Sequence, residues 1–208
     1  MTHALLVTLE HAGIFIFAMS GALVAARLGL DIFGLVVLGL ITGLGGGVTR
    51  DIILGIHPPA AFDNWGYLLS ATAAAVLVFF ESGRVGRRER PILLLDAVGL
   101  SLFCVTGAIA GVDAGLGVLP SSLLGLVTAV GGGAMRDVLS NRVPVIFQGD
   151  LYALPALLGA VLAAVIATQG WPPVLLCAAS ATCLVWRLAA IHRGWSAPSA
   201  PGSGSLDD

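Results

Sequence analysis

The chain has 208 residues, of which 57% are hydrophobic and only 11% charged, and its formal net charge is −2. A soluble domain of this length carries about twice that share of charged residues. The composition therefore excludes an ordinary soluble globular domain, and the negative net charge argues against nucleic acid as a partner.

Seven apolar segments follow one another along the chain, each close to the length of about 20 residues that a helix needs to cross a bilayer. The segments are Leu5–Ala26, Ile32–Leu54, Trp65–Phe80, Ile92–Val112, Leu119–Leu139, Leu151–Thr168 and Pro172–Ala190. None shows the alternating polarity of a transmembrane β-strand. The sequence predicts an all-α integral membrane protein with seven transmembrane helices.

Basic residues set the expected orientation, because loops rich in arginine remain in the cytoplasm. The most basic loop lies between the third and fourth segments and contains Arg84, Arg87, Arg88 and Arg90. With seven segments, Arg27, Arg187 and Arg193 then lie on the same side. The N-terminus is predicted to be outside and the C-terminus cytoplasmic.

Aromatic residues near the segment ends fit the membrane interface. They are Trp65, Tyr67, Tyr152, Trp171, Trp186 and Trp195. The three cysteines, Cys104, Cys177 and Cys183, lack the spacing of a metal site and are interpreted as small apolar residues.

A duplication at an offset of 86 residues relates the two halves of the chain. The runs "TGLGGGVTRD" (42–51) and "TAVGGGAMRD" (128–137) are in register, and Phe17 corresponds to Phe103. After a one-residue gap, Tyr67 corresponds to Tyr152. Because each unit has three segments, the second copy is predicted to enter the membrane inverted, as in membrane transport proteins with inverted repeats.

The duplication divides the chain into five parts. They are a first three-helix repeat (1–81), a basic cytoplasmic linker (82–91), a second, inverted repeat (92–168), a seventh helix (169–193) and a tail with the composition of a disordered segment (194–208).

The two glycine runs, Gly45, Gly46 and Gly47 and then Gly131, Gly132 and Gly133, are the most unusual feature of the repeat. Each glycine costs about 1 kcal/mol relative to alanine inside a helix. We predict a functional kink or break at each run; the alternative is close helix packing by small residues. No lysine follows the glycines as in a P-loop, and Val48 replaces the third glycine of a dinucleotide-binding motif.

Four charged residues follow the glycines: Arg50, Asp51, Arg136 and Asp137. Charged residues inside a membrane usually face a cavity or a partner. Because residues i and i+1 point in different directions on a helix, we expect Arg50 to pair with Asp137 and Arg136 with Asp51 across the repeats. Solvated charges near the membrane surface are the alternative.

Five hydroxyl side chains are candidates to line a water-filled path or to gate it with these charges: Thr42, Thr49, Thr128, Ser20 and Thr106. Hydroxyls in membrane helices more often bond back to their own helix, and that alternative stays open for each. Asp96 is interpreted as an interfacial carboxylate at the start of the fourth segment.

These features together resemble the prokaryotic branch of the trimeric intracellular cation (TRIC) channel family. The matching residues are "GLGGGVTRDIILG" in the second segment and "GGGAMRDVL" in the fifth, within a duplicated seven-segment chain. The resemblance implies a homotrimer with one pore per subunit, permeable to monovalent cations and chiefly potassium. It also implies that the second and fifth helices bend at the glycines near the constriction. Our own hypothesis, apart from the resemblance, is that each arginine acts as a tethered cation that narrows or gates the path.

The expected setting is a prokaryotic inner membrane, with further copies of the chain, membrane lipids and monovalent cations as partners. Enzymatic activity and a cofactor are not predicted; bound lipid and transient potassium or sodium ions are the candidate ligands. Some bacterial relatives are described as glycine transporters. A secondary transporter of a small amino acid such as glycine therefore remains the alternative function.

Overall fold

A computed structural model describes residues 2–85, 89–148 and 151–197. Eight α-helices lie within these ranges. They are α1 (Thr2–Arg27), α2 (Ile32–Ile53), α3 (Ala60–Asp63), α4 (Trp65–Val85), α5 (Arg90–Asp113), α6 (Val118–Leu139), α7 (Ala153–Thr168) and α8 (Leu175–Arg193). The linker residues Arg87 and Arg88, and the tail from residue 198, lie outside the described residues.

The helix order follows the predicted segments, with one short helix added. Five helices, α1, α2, α5, α6 and α8, are long and apolar enough to cross a membrane. The apolar part of α4 described here (Trp65–Glu81) and α7 are shorter. Seven long helices are thus present in the described part of the chain, and the spanning of all seven stays a prediction.

Each unit contains a short helical turn that was not predicted. In the first unit it is α3, and in the second it is the 3₁₀ turn Val145–Phe147. Ala60 and Val145, their first residues, are 85 positions apart, which is the offset of the two tyrosines. The duplication therefore includes the connections after α2 and α6.

Reciprocal contacts join the two units. Gly13 of α1 lies against the ring of Phe103, and the corresponding Gly99 of α5 lies against the ring of Phe17. The Phe17 and Phe103 rings are 5.4 Å apart between centroids. Since earlier residues of α1 contact later residues of α5, the two helices cross in antiparallel directions.

The equivalent helices α2 and α6 cross in the same way, and glycines make the crossing close. A Cβ on Gly46 would lie 2.1 Å from the Thr128 carbonyl oxygen, and a Cβ on Gly132 would lie 2.1 Å from the Thr42 carbonyl oxygen. Both distances are far below van der Waals contact, so only glycine fits at these two positions. The backbones touch over one helical turn in antiparallel directions.

The predicted helix break at the glycine runs is wrong, because α2 and α6 remain α-helical through all six glycines. The contacts match the alternative reading, in which small residues allow backbones to approach. A bend at either run stays a prediction.

Helix α8 stands outside the repeat and packs on α5 and α7. Cys104 and Cys183 are fully buried there, on either side of Gly159, as expected for small apolar residues. Cys177 is exposed instead.

Candidate functional site

Arg50 is the centre of a charged cluster one helical turn beyond the crossing. Its Nη1 donates to Glu10 Oε1 at 2.6 Å, and its Nε donates to Asp51 Oδ1 at 2.8 Å. The Tyr67 hydroxyl donates to the other Glu10 oxygen. Glu10 comes from α1, Arg50 and Asp51 from α2 and Tyr67 from α4, so the cluster ties together the three long helices of the first unit. We call it the Arg50 centre.

Arg136 forms the equivalent Arg136 centre in the second unit. Its Nη1 donates to Asp96 Oδ1 at 2.8 Å, and its Nε donates to Asp137 Oδ1 at 2.9 Å. The Tyr152 hydroxyl lies beside Asp96, since both sit close to Gly133. Every member except Tyr152 is 86 residues after its counterpart, and Tyr152 is 85 residues after Tyr67.

The two aspartates next to the arginines also hold the connections that follow. Asp51 Oδ2 accepts from the Ala60 backbone N–H at 2.9 Å, and Asp137 Oδ2 accepts from the Val145 N–H at 3.2 Å. Each aspartate thus joins its arginine to the first residue of the short turn in the same unit.

The predicted pairing across the repeats is therefore wrong. Arg50 pairs with Asp51 and Glu10, and Arg136 pairs with Asp137 and Asp96. The prediction assumed that neighbours on a helix diverge, but the long arginine side chain folds back so that its Nε meets the adjacent carboxylate. The guanidinium is then free to reach a second carboxylate on another helix.

Two further interpretations are corrected at these centres. Asp96 is 3% exposed and ion-paired, so it is a buried partner rather than an interfacial carboxylate. Tyr67 and Tyr152 are 7% and 3% exposed, so they belong to the charged centres rather than to an aromatic belt. Trp65, Trp171 and Trp195 are exposed and Trp186 is half-buried, and their position at the membrane interface stays a prediction.

Glu10 was given no functional role from the sequence, although the signal was available. Glu10 and Asp96 are both carboxylates at the offset of 86 that defines the duplication. A buried acid repeated at equivalent places beside a repeated arginine predicts an ion pair.

The five hydroxyl candidates divide into three groups. Thr42, Thr49 and Thr128 donate to carbonyl oxygens four residues earlier in their own helices, at 2.6, 2.8 and 2.7 Å. Ser20 makes a hydrogen bond between the two units, because its Oγ accepts from Arg136 Nη1 at 2.6 Å. Thr106, the counterpart of Ser20, is 3% exposed, and its Oγ1 has no hydrogen-bond partner among the described residues.

A cavity adjoins each centre. The cavity at the Arg50 centre has a volume of about 220 Å³, is lined by Glu10, Arg50 and Thr106, and reaches the exposed residue Asp113 at the end of α5. We call it the first cavity.

The second cavity, at the Arg136 centre, has a volume of about 480 Å³. It is lined by Asp96 and Arg136 and reaches Arg27 at the end of α1. Because Asp113 and Arg27 are repeat equivalents, both cavities have the same position relative to their units.

The crossing of α2 and α6 separates the two centres. Gly46 and Gly132 mark the ends of the contact, and each arginine lies four residues beyond its glycine, in opposite directions. Twelve residues of helix then separate the level of Arg50 from the level of Arg136, which corresponds to roughly 18 Å along the helix axis. The site as a whole consists of two cavities, two arginine centres and a close helix contact between them.

The fold is that of a duplicated helical membrane protein with a charged centre in each half. Comparisons with known proteins identify the family within this class. The sequence model of a family described as "Glycine transporter" matches residues 7–82 and again residues 93–168. The two matches are themselves 86 residues apart. Independent matches to both halves confirm the duplication.

Relatives and a solved structure agree with this assignment. A UPF0126 membrane protein of Streptomyces coelicolor is 47% identical over 94% of this chain and 91% of its own length. The UPF0126 inner membrane protein YadS of Escherichia coli is 35% identical over 74% of both chains. A crystal structure of a TRIC trimeric intracellular cation channel orthologue from Rhodobacter sphaeroides matches with a TM-score of 0.88 and 40% identity, covering 92% of this chain and 99% of that one. The chain belongs to the prokaryotic TRIC family, to which this glycine-transporter family model corresponds.

Proposed function

We propose that this protein is a potassium-permeable cation channel whose path runs through each subunit. The observation that carries the proposal is the pair of cavities at opposite ends of the α2–α6 crossing, each ending at an arginine–carboxylate centre. In this function the two cavities of a single chain are the vestibules on either side of one constriction. The similarity to a solved cation channel over nearly the whole chain supports the same function.

The narrowest part of the path lies where Gly46 and Gly132 bring the two backbones together. The reciprocal, antiparallel contacts between the units support an inverted repeat with its two-fold axis in the membrane plane. In that arrangement the two cavities face opposite sides of the membrane, and the two-fold axis relates one half of the path to the other half.

The arginines act as tethered cations beside this path. Each is held by two carboxylates, so its charge is compensated at the centre but its guanidinium occupies space between cavity and crossing. Movement of an arginine away from its carboxylate on α1 or α5 widens the path and leaves a negative group for a passing cation.

The assembly is a homotrimer in a prokaryotic inner membrane, with the N-terminus outside. The name of the Rhodobacter structure supports the trimer, and the inner-membrane relative YadS supports the location. The orientation rests on the basic residues, with Arg27 at the mouth of the second cavity on the cytoplasmic side.

A secondary transporter of glycine is the second candidate, favoured by the description of the matching family model. Each centre offers a guanidinium and carboxylates within hydrogen-bond distance of one another. A zwitterionic amino acid has the complementary pair of charges. In this function the two centres bind substrate alternately from the two sides.

Currents from purified protein in a planar bilayer under a potassium chloride gradient distinguish the two functions. A channel gives discrete openings that reverse near the potassium equilibrium potential. A silent bilayer, together with glycine uptake into liposomes from the same preparation, would contradict the channel and favour the transporter. Arg50→Ala and Arg136→Ala then test the arginines: we expect larger unitary currents, and unchanged currents would contradict their gating role.

A further inference from the structure

Thr106 lines the first cavity, and its buried hydroxyl has no hydrogen-bond partner among the described residues. The residue is 3% exposed. Most buried hydroxyls in membrane helices donate to the carbonyl four residues earlier, as Thr42, Thr49 and Thr128 do here. An unsatisfied buried hydroxyl costs about 1–3 kcal/mol, so its retention needs a reason.

The repeat provides a direct comparison for this hydroxyl. Ser20, the counterpart of Thr106, accepts a hydrogen bond from Arg136 and so has a cationic partner in the second unit. Arg50 instead donates hydrogen bonds to Glu10 and Asp51 and makes none to Thr106. The position that accepts from a cationic group in one half therefore has its acceptor lone pairs available in the other half.

The charge lining the first cavity favours a cation. Its described lining contains two carboxylates, Glu10 and Asp113, and one arginine, Arg50. The described lining of the second cavity contains three acidic and three basic side chains. One of the basic side chains, Arg27, has the position that Asp113 has in the first cavity. The first cavity is thus net negative by one charge, and the second is balanced.

We propose that the first cavity contains a binding site for a monovalent alkali cation, with Glu10 and Thr106 oxygens as its ligands. The Tyr67 hydroxyl, already bonded to Glu10, fixes the carboxylate that faces the ion. A volume of about 220 Å³ leaves room for an ion with several of its own waters. The choice of ion rests on the proposed function, in which this ion is the one that permeates.

The donor set fits a monovalent ion better than a divalent one. Calcium sites usually gather several carboxylates among six to eight oxygens, and magnesium demands a tight octahedral shell. Here one of the two carboxylates, Glu10, shares its charge with Arg50, and the other ligand is a neutral hydroxyl. One excess negative charge compensates one positive charge.

Cation-dependent stability of the purified protein in detergent tests the site without any transport measurement. The midpoint of thermal unfolding is recorded in potassium chloride and in N-methyl-D-glucamine chloride at equal ionic strength. We expect potassium to raise the midpoint of the wild type, since a ligand that binds only the folded state stabilises it. Thr106→Val is expected to weaken apparent potassium affinity by about tenfold or more, on the scale of hydrogen bonds to charged groups.

The proposed site predicts a pattern that a purely structural role for Thr106 would not give. Because valine is isosteric and removes an unsatisfied hydroxyl, Thr106→Val should unfold at an equal or higher temperature than wild type without potassium, while responding less to it. Thr106→Ser should retain the response. Thr168→Val is the matched control, because the Thr168 hydroxyl bonds its own helix at Ala164, away from the cavity. Thr106→Ala gives a second hydroxyl-free variant if valine disturbs packing.

Three outcomes would overturn the proposal: no potassium response in wild type, an undiminished response in both hydroxyl-free variants, or a larger response to millimolar calcium or magnesium. Bilayer currents from the same preparations separate this result from the channel function. Potassium currents with no potassium-dependent stabilisation would contradict the site alone. Potassium-dependent stabilisation with silent bilayers would contradict the channel and leave the site standing.

Discussion

The Arg136 centre is more deeply buried than the equivalent Arg50 centre, and its arginine has more side-chain hydrogen bonds among the described residues. Among the described residues, Arg136 has three side-chain partners, Asp96, Asp137 and Ser20, and its side chain and that of Asp96 are 3% and 4% exposed. Arg50 has two, Glu10 and Asp51, and the Glu10 side chain is 18% exposed.

Gly133 and Gly47, which are repeat equivalents, extend this contrast. A Cβ on Gly133 would meet the Tyr152 hydroxyl at 3.1 Å, while a Cβ on Gly47 would meet nothing within 4 Å. The same motif is thus tightly packed in the second half and less tightly packed in the first. The two halves share one scaffold, and single substitutions around it make the two cavity mouths unlike.

The largest effect is expected where the halves are most alike, at the α2–α6 crossing. Gly46→Ala and Gly132→Ala each place a methyl group 2.1 Å from a backbone carbonyl oxygen, which cannot move without shifting a helix. We expect each to cost about 3 kcal/mol or more, at or above the upper end for overpacking, and to reduce the yield of monodisperse protein.

Gly47→Ala is the matched control for these variants, because it lies in the same run and faces open space. We expect normal size-exclusion behaviour and an unfolding temperature equal to or above that of wild type, since alanine favours the helix. If Gly46→Ala and Gly47→Ala behaved alike, the close contact would not be what the glycine run provides.

Removal of each arginine in turn measures the contrast between the two centres. Arg136→Ala leaves Asp96 and Asp137, whose side chains are only 4% and 7% exposed, without their partner, so we expect a loss of about 3–5 kcal/mol in the free energy of unfolding. Arg50→Ala leaves Glu10, whose side chain is 18% exposed and so better solvated, and we expect a smaller loss of about 1–3 kcal/mol.

Detergent-titrated unfolding of the two variants gives these losses. Asp96→Asn and Glu10→Gln each replace one carboxylate by an amide. Their losses in the free energy of unfolding should be smaller than those of the arginine variants, and Asp96→Asn should lose more than Glu10→Gln. Equal losses for the two arginines would mean that the difference in burial has no energetic consequence.

The helical segments and the duplication were predictable because both depend on patterns that survive in one sequence. Apolar length predicts membrane helices, and an offset of 86 residues aligns the two halves. The partners of Arg50 and Arg136 were not predicted, although Glu10 and Asp96 follow the same offset. An arginine side chain can hydrogen-bond at once to its sequence neighbour and to a carboxylate on another helix. The periodicity of the sequence does not show which distant residue the side chain contacts.

The glycine runs show the same limit from another side. Intrinsic propensity predicts a weakened helix at three glycines, but the neighbouring backbone at Thr128 and Thr42 provides packing that only the folded protein offers. The helix therefore continues where local preference alone favours a break. The absence of a hydrogen bond at Thr106 likewise depends on what surrounds it and has no sequence signal.

The smallest expected effect concerns the two cavity mouths, where the repeat carries opposite charges. Asp113→Asn removes a negative charge from the first cavity, and Arg27→Gln removes a positive charge from the second. A charge at a vestibule mouth changes the local concentration of permeant cations, so at low salt we expect the first variant to reduce potassium current and the second to increase it.

Each change should be seen mainly for ions entering from the altered side. Because one variant reduces entry through the first cavity and the other increases entry through the second, both should rectify in the same direction, in favour of ions that enter through the second cavity. The effects should fall to a small fraction at molar salt, where the screening length is about 3 Å. Single-channel currents at low and high potassium chloride provide the comparison, with Asp63→Asn as a control carboxylate on α3, outside both cavity linings. If either mouth variant altered current equally in both directions and at both salt concentrations, its charge would act on the fold rather than on ions approaching that end. Rectification in favour of entry through the second cavity in both variants would instead show that the duplicated path is functionally polar, with the sign at each end set by one residue of the repeat.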